Sequence, residues 1–182
     1  MIRKLTWRIL VSIALIMVTF PIASLAKEVI LNNVPVQVCF SPGGGCTEAI
    51  VGELTKAKKE ILVQAYSFTS QPIAKALVDA HKRGIRAEII LDKSQRGEQY
   101  SAADFTAHMG VPTYIDSAHA IAHNKIMVID QETVITGSFN FTKAAEERNA
   151  ENLLIIKSPE LAKEYLENWE KHKAHSEKYE GR

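Results

Sequence analysis

Cysteine is scarce, with only Cys39 and Cys46 among 182 residues. Six residues separate them, and two thiols with no paired Cys or His motif to complete their four ligands fall short of a zinc site, so none is expected. They bracket Phe40-Ser41-Pro42-Gly43-Gly44-Gly45, whose glycines let the chain fold back, and a local disulfide between Cys39 and Cys46 is the expectation. A charge imbalance is also missing. The 22 Lys plus Arg stand against 21 Asp plus Glu, so net charge makes no case for a nucleic-acid partner, and attraction for phosphate has to come from local placement. Low-complexity linkers and internal repeats are absent as well, which leaves one compact domain as the default.

Long apolar runs are limited to one. Arg3, Lys4 and Arg8 precede an apolar stretch from Ile9 to Ile22, which Pro21 breaks near its end. The stretch is shorter than the roughly 18 to 20 residues of a spanning helix. With Ser24-Leu25-Ala26 behind it, it reads as a secretory signal cleaved after Ala26. This divides the chain into 1–26, a signal peptide, and 27–182, a single domain. That domain carries 19 basic against 21 acidic residues, keeps no stable membrane anchor, and works in a periplasm or outside the cell, where a disulfide persists.

What is present is an alternation of apolar strand patterns and amphipathic helices. Strands are expected at 36–40, 61–66, 87–91, 111–115, 125–129, 133–136 and 152–156. Helices are expected from Glu48 with Thr47 as cap, near Pro72 with Ser70 as cap, from Ser101 to His108, from Thr142 to Arg148, and from Ser158-Pro159 onward. Pro112 suggests that the fourth strand lies at a sheet edge, and the charged tail from Lys171 is expected to fray. The polar stretch Asp92 to Glu98 follows a strand at the end where open α/β sheets face their ligands. The fold class is α/β, a single mixed sheet with helices on both faces.

The chemistry concentrates in His123-Asn124-Lys125, entering an apolar strand that ends at Asp130, followed by Gly137-Ser138-Phe139-Asn140. Alternation along a strand puts the imidazole and the ammonium on one side, an arrangement suited to phosphate. The pattern His123-x-Lys125-x-x-x-x-Asp130, then Gly137-Ser138-x-Asn140, resembles the signature of the phospholipase D superfamily. Asn149-Ala150-Glu151-Asn152 resembles that family's downstream acidic element, and the size resembles its small bacterial endonuclease branch.

A phosphodiester repels nucleophiles and holds a poor leaving group. A neutral imidazole answers the first problem by forming a phosphohistidine, and a protonated second imidazole answers the other by donating to the leaving oxygen. Lys125, Ser138 and Asn140 would bind the nonbridging oxygens, with no metal or cofactor required. Glu151 is expected to orient His123 through its second ring nitrogen. Asp130 belongs to the pattern, but from the far end of the strand it could equally secure Lys125, the fold or a dimer.

The chain carries one copy of the motif where the chemistry wants two histidines. The resemblance implies a homodimer with both motifs in one cleft. It also implies a nuclease acting on DNA or RNA. A phospholipase D that releases a lipid head group uses the same residues and is the alternative; a non-catalytic nucleic-acid-binding protein of this fold is the second. Tyr66, Phe68, Phe139 and Phe141 are candidates for stacking bases or touching lipid, with core packing the expected fate of at least two. Lys93, Arg96, Lys143 and Arg148 are candidates for a basic rim. His119 reads as a loop residue near the cleft mouth, while His81, His108, His172 and His175 receive no role.

Overall fold

The computed structural model describes residues 26–182, so the signal peptide expected over 1–26 lies almost wholly outside the described residues. The elements in chain order are β1 (Val36–Ser41), α1 (Cys46–Lys56), β2 (Glu60–Ala65), α2 (Gln71–Lys82), β3 (Arg86–Asp92), a 3-10 turn (Lys93–Arg96), α3 (Ala103–His108), β4 (Thr113–Asp116), β5 (Lys125–Ile129), β6 (Thr133–Gly137), α4 (Lys143–Glu147), β7 (Glu151–Lys157), α5 (Pro159–His175) and β8 (Glu177–Tyr179). The strands form one mixed eight-stranded sheet in the order β1-β7-β6-β5-β2-β3-β4-β8. Strands β2, β3 and β4 are parallel neighbours, and all the other pairings are antiparallel.

Alternation along the strands sorts side chains between two layers. Ile61, Val63 and Ala65 of β2 and Ile89 and Leu91 of β3 pack with Ile50, Leu54, Ile73 and Leu77 of α1 and α2. On the other face Leu62, Ile90, Ile126, Val128 and Val134 meet Ala162 and Trp169 of α5. Trp169 is fully buried, and its indole N–H donates to the Val63 carbonyl at 2.9 Å. Each fully buried aliphatic side chain contributes about 1.5 to 3 kcal/mol, against about 0 to 1 kcal/mol for an exposed ion pair. These two layers therefore hold the sheet, and the surface charges do little of it.

Several expectations change at element ends. Helix α1 is capped by left-handed Gly45 rather than by Thr47, and the Glu146 carboxylate of α4 accepts from the Gly45 and Thr47 N–H groups at 3.0 and 2.7 Å. Ser70 stands at the N-cap of α2 without a side-chain hydrogen bond. Ser158 caps α5 as expected, its hydroxyl accepting from the Leu161 N–H. Strand β4 is not at the edge, because β8 pairs with it. The tail does not fray at Lys171, since α5 runs to His175 and Tyr179 is buried beyond it. Cys39 and Cys46 form the expected disulfide, with Cα atoms 5.6 Å apart.

Candidate active site

The topology gathers the motif at one end of the sheet. Because β5, β6 and β7 run antiparallel in turn, the start of β5, the end of β6 and the start of β7 coincide. Lys125, Gly137 and Glu151 occupy those three positions. The carboxyl end of β2 arrives there too, with Ala65 opposite Lys125. The Tyr66 N–H donates to the Asn124 carbonyl at 2.8 Å, fixing the backbone between His123 and Lys125.

His123 is exposed, and among the described residues its ring has no hydrogen-bond partner. Tyr66 packs on it instead, with ring centroids 4.5 Å apart and planes tilted by 54°. The imidazole is thus held through its face, which leaves both nitrogens free. The expected hydrogen bond from His123 to Glu151 is not made in the single chain. Glu151 accepts from the Asn149 amide at 3.2 Å.

Lys125 is buried at 7 % exposure, and its ammonium donates to the His123 carbonyl at 2.8 Å and lies 5.1 Å from the Tyr66 ring centroid. Burial pushes its pKa below the ordinary lysine value, and the Glu151 charge only partly offsets this. No carboxylate forms an ion pair with it among the described residues, so its charge is available to an anion arriving from solvent.

Ser138 is exposed, and its hydroxyl oxygen accepts from the Asn152 backbone N–H at 3.0 Å and the Asn152 side-chain amide at 3.3 Å. With the oxygen so occupied, the hydroxyl proton is left to donate outward. The Asn152 carbonyl in turn accepts from the N–H groups of Ser138 and Phe139. This close approach explains the glycine of the motif. At Gly137, where φ is 150°, an added Cβ would stand 2.2 Å from the Asn152 carbonyl oxygen. Asn140 Oδ1 is buried without a partner in the described chain.

Asp130 lies at the opposite end of β5 and does not join this group. Its carboxylate accepts from the backbone N–H groups of Lys58, Lys59 and Glu60 at 2.9, 2.7 and 3.0 Å. Burial alone would raise its pKa, but these hydrogen bonds outweigh burial and hold it below the ordinary carboxylate range. Of the three roles open to it in the sequence, the structure shows that of securing the fold.

The aromatic candidates separate clearly. Phe68, Phe139 and Phe141 are fully buried, leaving Tyr66 alone beside the motif. Among the basic residues, Arg96 pairs with Glu177 at 2.7 Å, Lys143 with Glu147 at 3.5 Å, and Lys93 donates to the His119 carbonyl. Asp92 belongs to the scaffold rather than to a ligand-facing loop. It is 3 % exposed and accepts from the Ala122 N–H at 2.7 Å, pinning the chain one residue before His123. Three supporting residues, Tyr66, Asp92 and Asn152, carry no motif signal of their own. Their nearest sequence cue is position, at strand ends or inside the acidic element.

Comparison with known proteins places the chain in a family. The family described as "Cardiolipin synthase, PLD-like domain" matches residues 50–173. A phospholipase D of Rickettsia conorii is 43 % identical over 144 residues, covering 79 % of this chain and 72 % of that protein. A mitochondrial cardiolipin hydrolase of Xenopus laevis is 28 % identical over 155 residues, covering 84 % of this chain and 73 % of that protein. The crystal structure of Nuc, a phospholipase D family member from Salmonella typhimurium, superposes with a TM-score of 0.78 at 40 % identity, covering 80 % of this chain and 98 % of that one. With its motif at the converging ends of β2, β5, β6 and β7, the chain belongs to the phospholipase D superfamily and is a hydrolase of phosphodiester bonds.

Proposed function

We propose that the protein is an exported nuclease that cleaves nucleic-acid phosphodiesters without a catalytic metal, in an active site shared by two copies of the chain. The observation that carries this reading is the pairing of an exposed His123, both ring nitrogens free, with a buried and carboxylate-free Lys125. His123 of one subunit attacks phosphorus, the P–O bond to the leaving group breaks, and His123 of the other subunit donates the proton that the alkoxide takes up. Water then attacks the phosphohistidine, its proton returns to the second imidazole, and the P–N bond breaks to restore the first. Lys125, the Ser138 hydroxyl and Asn140 bind the nonbridging oxygens in both steps. Glu151 supports the site electrostatically and accepts from an imidazole once the second chain is in place.

Two features support the assembly and the compartment. Val36, Val38 and Phe40 of edge strand β1 are 46, 51 and 67 % exposed and form an apolar strip. That strip reaches the motif, since Phe40 is the register partner of Asn152, which holds Ser138. A second copy seated on it would bring the two motifs together. The disulfide fits an oxidising compartment, and no helix among the described residues is long and apolar enough to cross a membrane. The likeness to Nuc, which extends over 98 % of that chain, favours nucleic acid.

The same strip favours a second reading, a phospholipase D whose acyl chains rest on Val36, Val38 and Phe40. The two are separated by incubating chelator-treated protein with supercoiled plasmid, and separately with phosphatidylcholine plus a primary alcohol, comparing wild type with His123→Asn. Plasmid nicking lost in the variant is the expected result. Alcohol transfer without nicking would replace the nuclease by the lipase, and inactivity on both would leave a binding protein.

A further inference from the structure

The four residues Asp116, His119, His172 and His175 converge outside the motif. Their potential ligand atoms all lie within 4.8 Å of one another. Asp116 ends β4, His119 stands in the loop that continues to His123, and both remaining histidines occupy the last turn of α5. His172 Nδ1 is 2.7 Å from Asp116 Oδ2, His175 Nε2 is 3.3 Å from the same oxygen, and His119 Nδ1 is 3.1 Å from both carboxylate oxygens. The three rings crowd one another, with centroids 4.8, 5.1 and 5.3 Å apart.

Packing does not account for this gathering. The His119 and His175 side chains are 44 and 38 % exposed, so neither was drawn in by burial. The Asp116 side chain, by contrast, is fully buried and anionic. Its two oxygens meet the three imidazoles and accept from the Ala118 N–H at 3.1 Å. Donors around a tetrahedral ion with bonds of about 2.0 to 2.1 Å stand about 3.3 Å apart. The observed contacts to the carboxylate already approach that spacing. Three imidazoles and one carboxylate make the borderline-soft set that suits zinc and its neighbours rather than calcium or magnesium. A dication there would also face the C-terminal, electronegative end of the 17-residue α5.

We propose that Asp116, His119, His172 and His175 bind one divalent ion of the zinc class, tying the loop that leads into His123 to the end of α5. Four protein ligands close the coordination shell, so this ion is structural and takes no part in the phosphodiester chemistry. Exposed His119 and His175 supply the route of entry. In the sequence the four residues stand as two short pairs, Asp116-x-x-His119 and His172-x-x-His175, which only the fold brings together.

The test needs no turnover, so it stands or falls separately from the nuclease reading. Tag-free, metal-stripped protein is titrated with zinc(II) by calorimetry and with cobalt(II) by visible absorption. One equivalent per chain is expected, with the intense cobalt bands of four-coordination, and a melting temperature raised by roughly 5 to 10 °C at a hundredfold excess over Kd. His175→Ala, at an exposed position, should melt like the metal-free wild type and bind zinc at least about a hundredfold more weakly. Asp116→Asn should also lose the cobalt spectrum, whereas His81→Ala should keep it. No uptake at about 0.1 mM metal would overturn the site, leaving a cluster held by hydrogen bonds alone. Uptake that survives replacement of both His172 and His175 would overturn it equally.

Discussion

Lys125 illustrates how a side chain can weaken the fold that carries it. Its pKa lies below the ordinary lysine value because burial penalises the ammonium. A protonated lysine depressed in this way destabilises the folded state at neutral pH, and the penalty fades only as pH rises from its folded value toward 10.5. Lys125→Met is therefore expected to lose turnover by about a hundredfold or more while melting at or above the wild-type temperature. A variant that melts several degrees lower would show that the ammonium is chiefly structural. At this scale the sequence was readable where residues sit close together, as His123 and Lys125 do. Tyr66 was legible only as one of four candidate aromatics, because its contact with His123 crosses from β2 to β5 and no spacing rule connects them. Glu151 stands at the same end of the sheet as Lys125, but the expected contact with the His123 ring is not made, its carboxylate accepting from Asn149 instead.

At the scale of elements, the turn between β5 and β6 is a joint for the whole sheet. Asp130 and Gln131 have φ of 54 and 58°, and the Glu132 N–H donates to the Ile129 carbonyl, as in a type I′ hairpin turn. The Asp130 carboxylate also receives three N–H groups from Lys58, Lys59 and Glu60, where the chain enters β2, so one residue shapes the hairpin and docks its neighbour. Its depressed pKa contributes stability that is present above the ordinary carboxylate value and lost as pH falls through the folded one. Asp130→Asn tolerates the left-handed backbone and keeps one acceptor, so it should cost about 1 to 2 kcal/mol. Asp130→Ala should cost more. Urea unfolding at pH 7 and again below pH 4 measures both, and the gap between wild type and Asp130→Asn should close in acid. A gap that stayed constant would mean that the charge is not what matters.

The central strands and the capped helix α5 were legible because apolar periodicity and the Ser158-Pro159 start are local signals. Strand β8 was not, since Glu177-Lys178-Tyr179 has no periodicity and owes its conformation to pairing with β4. The same holds for the α1 cap, where a carboxylate from α4 does the work that Thr47 was expected to do.

For the whole molecule, the decisive surface is the strip Val36, Val38 and Phe40, which adjoins the motif and is left exposed by the described residues. If a second copy covers it, Phe40→Glu should convert the protein to monomers by sedimentation and abolish cleavage while leaving the melting transition cooperative. A monomeric Phe40→Glu that still cleaves at the wild-type rate would rule out the shared cleft.

The strand order has a temporal consequence. In the described sheet β1 pairs only with β7, and β5, β6 and β7 lie between β1 and β2. A chain delivered amino end first presents β1 long before residues 151–157 exist to pair with it. Until then its ladder groups and outward valines have no strand partner, while β2 to β6, all built from residues before 151, can already pair with one another. Such long-range closure is slow and leaves an unpaired strand open to wrong partners. The architecture therefore makes the edge strand β1 one of the last parts of the sheet to be secured.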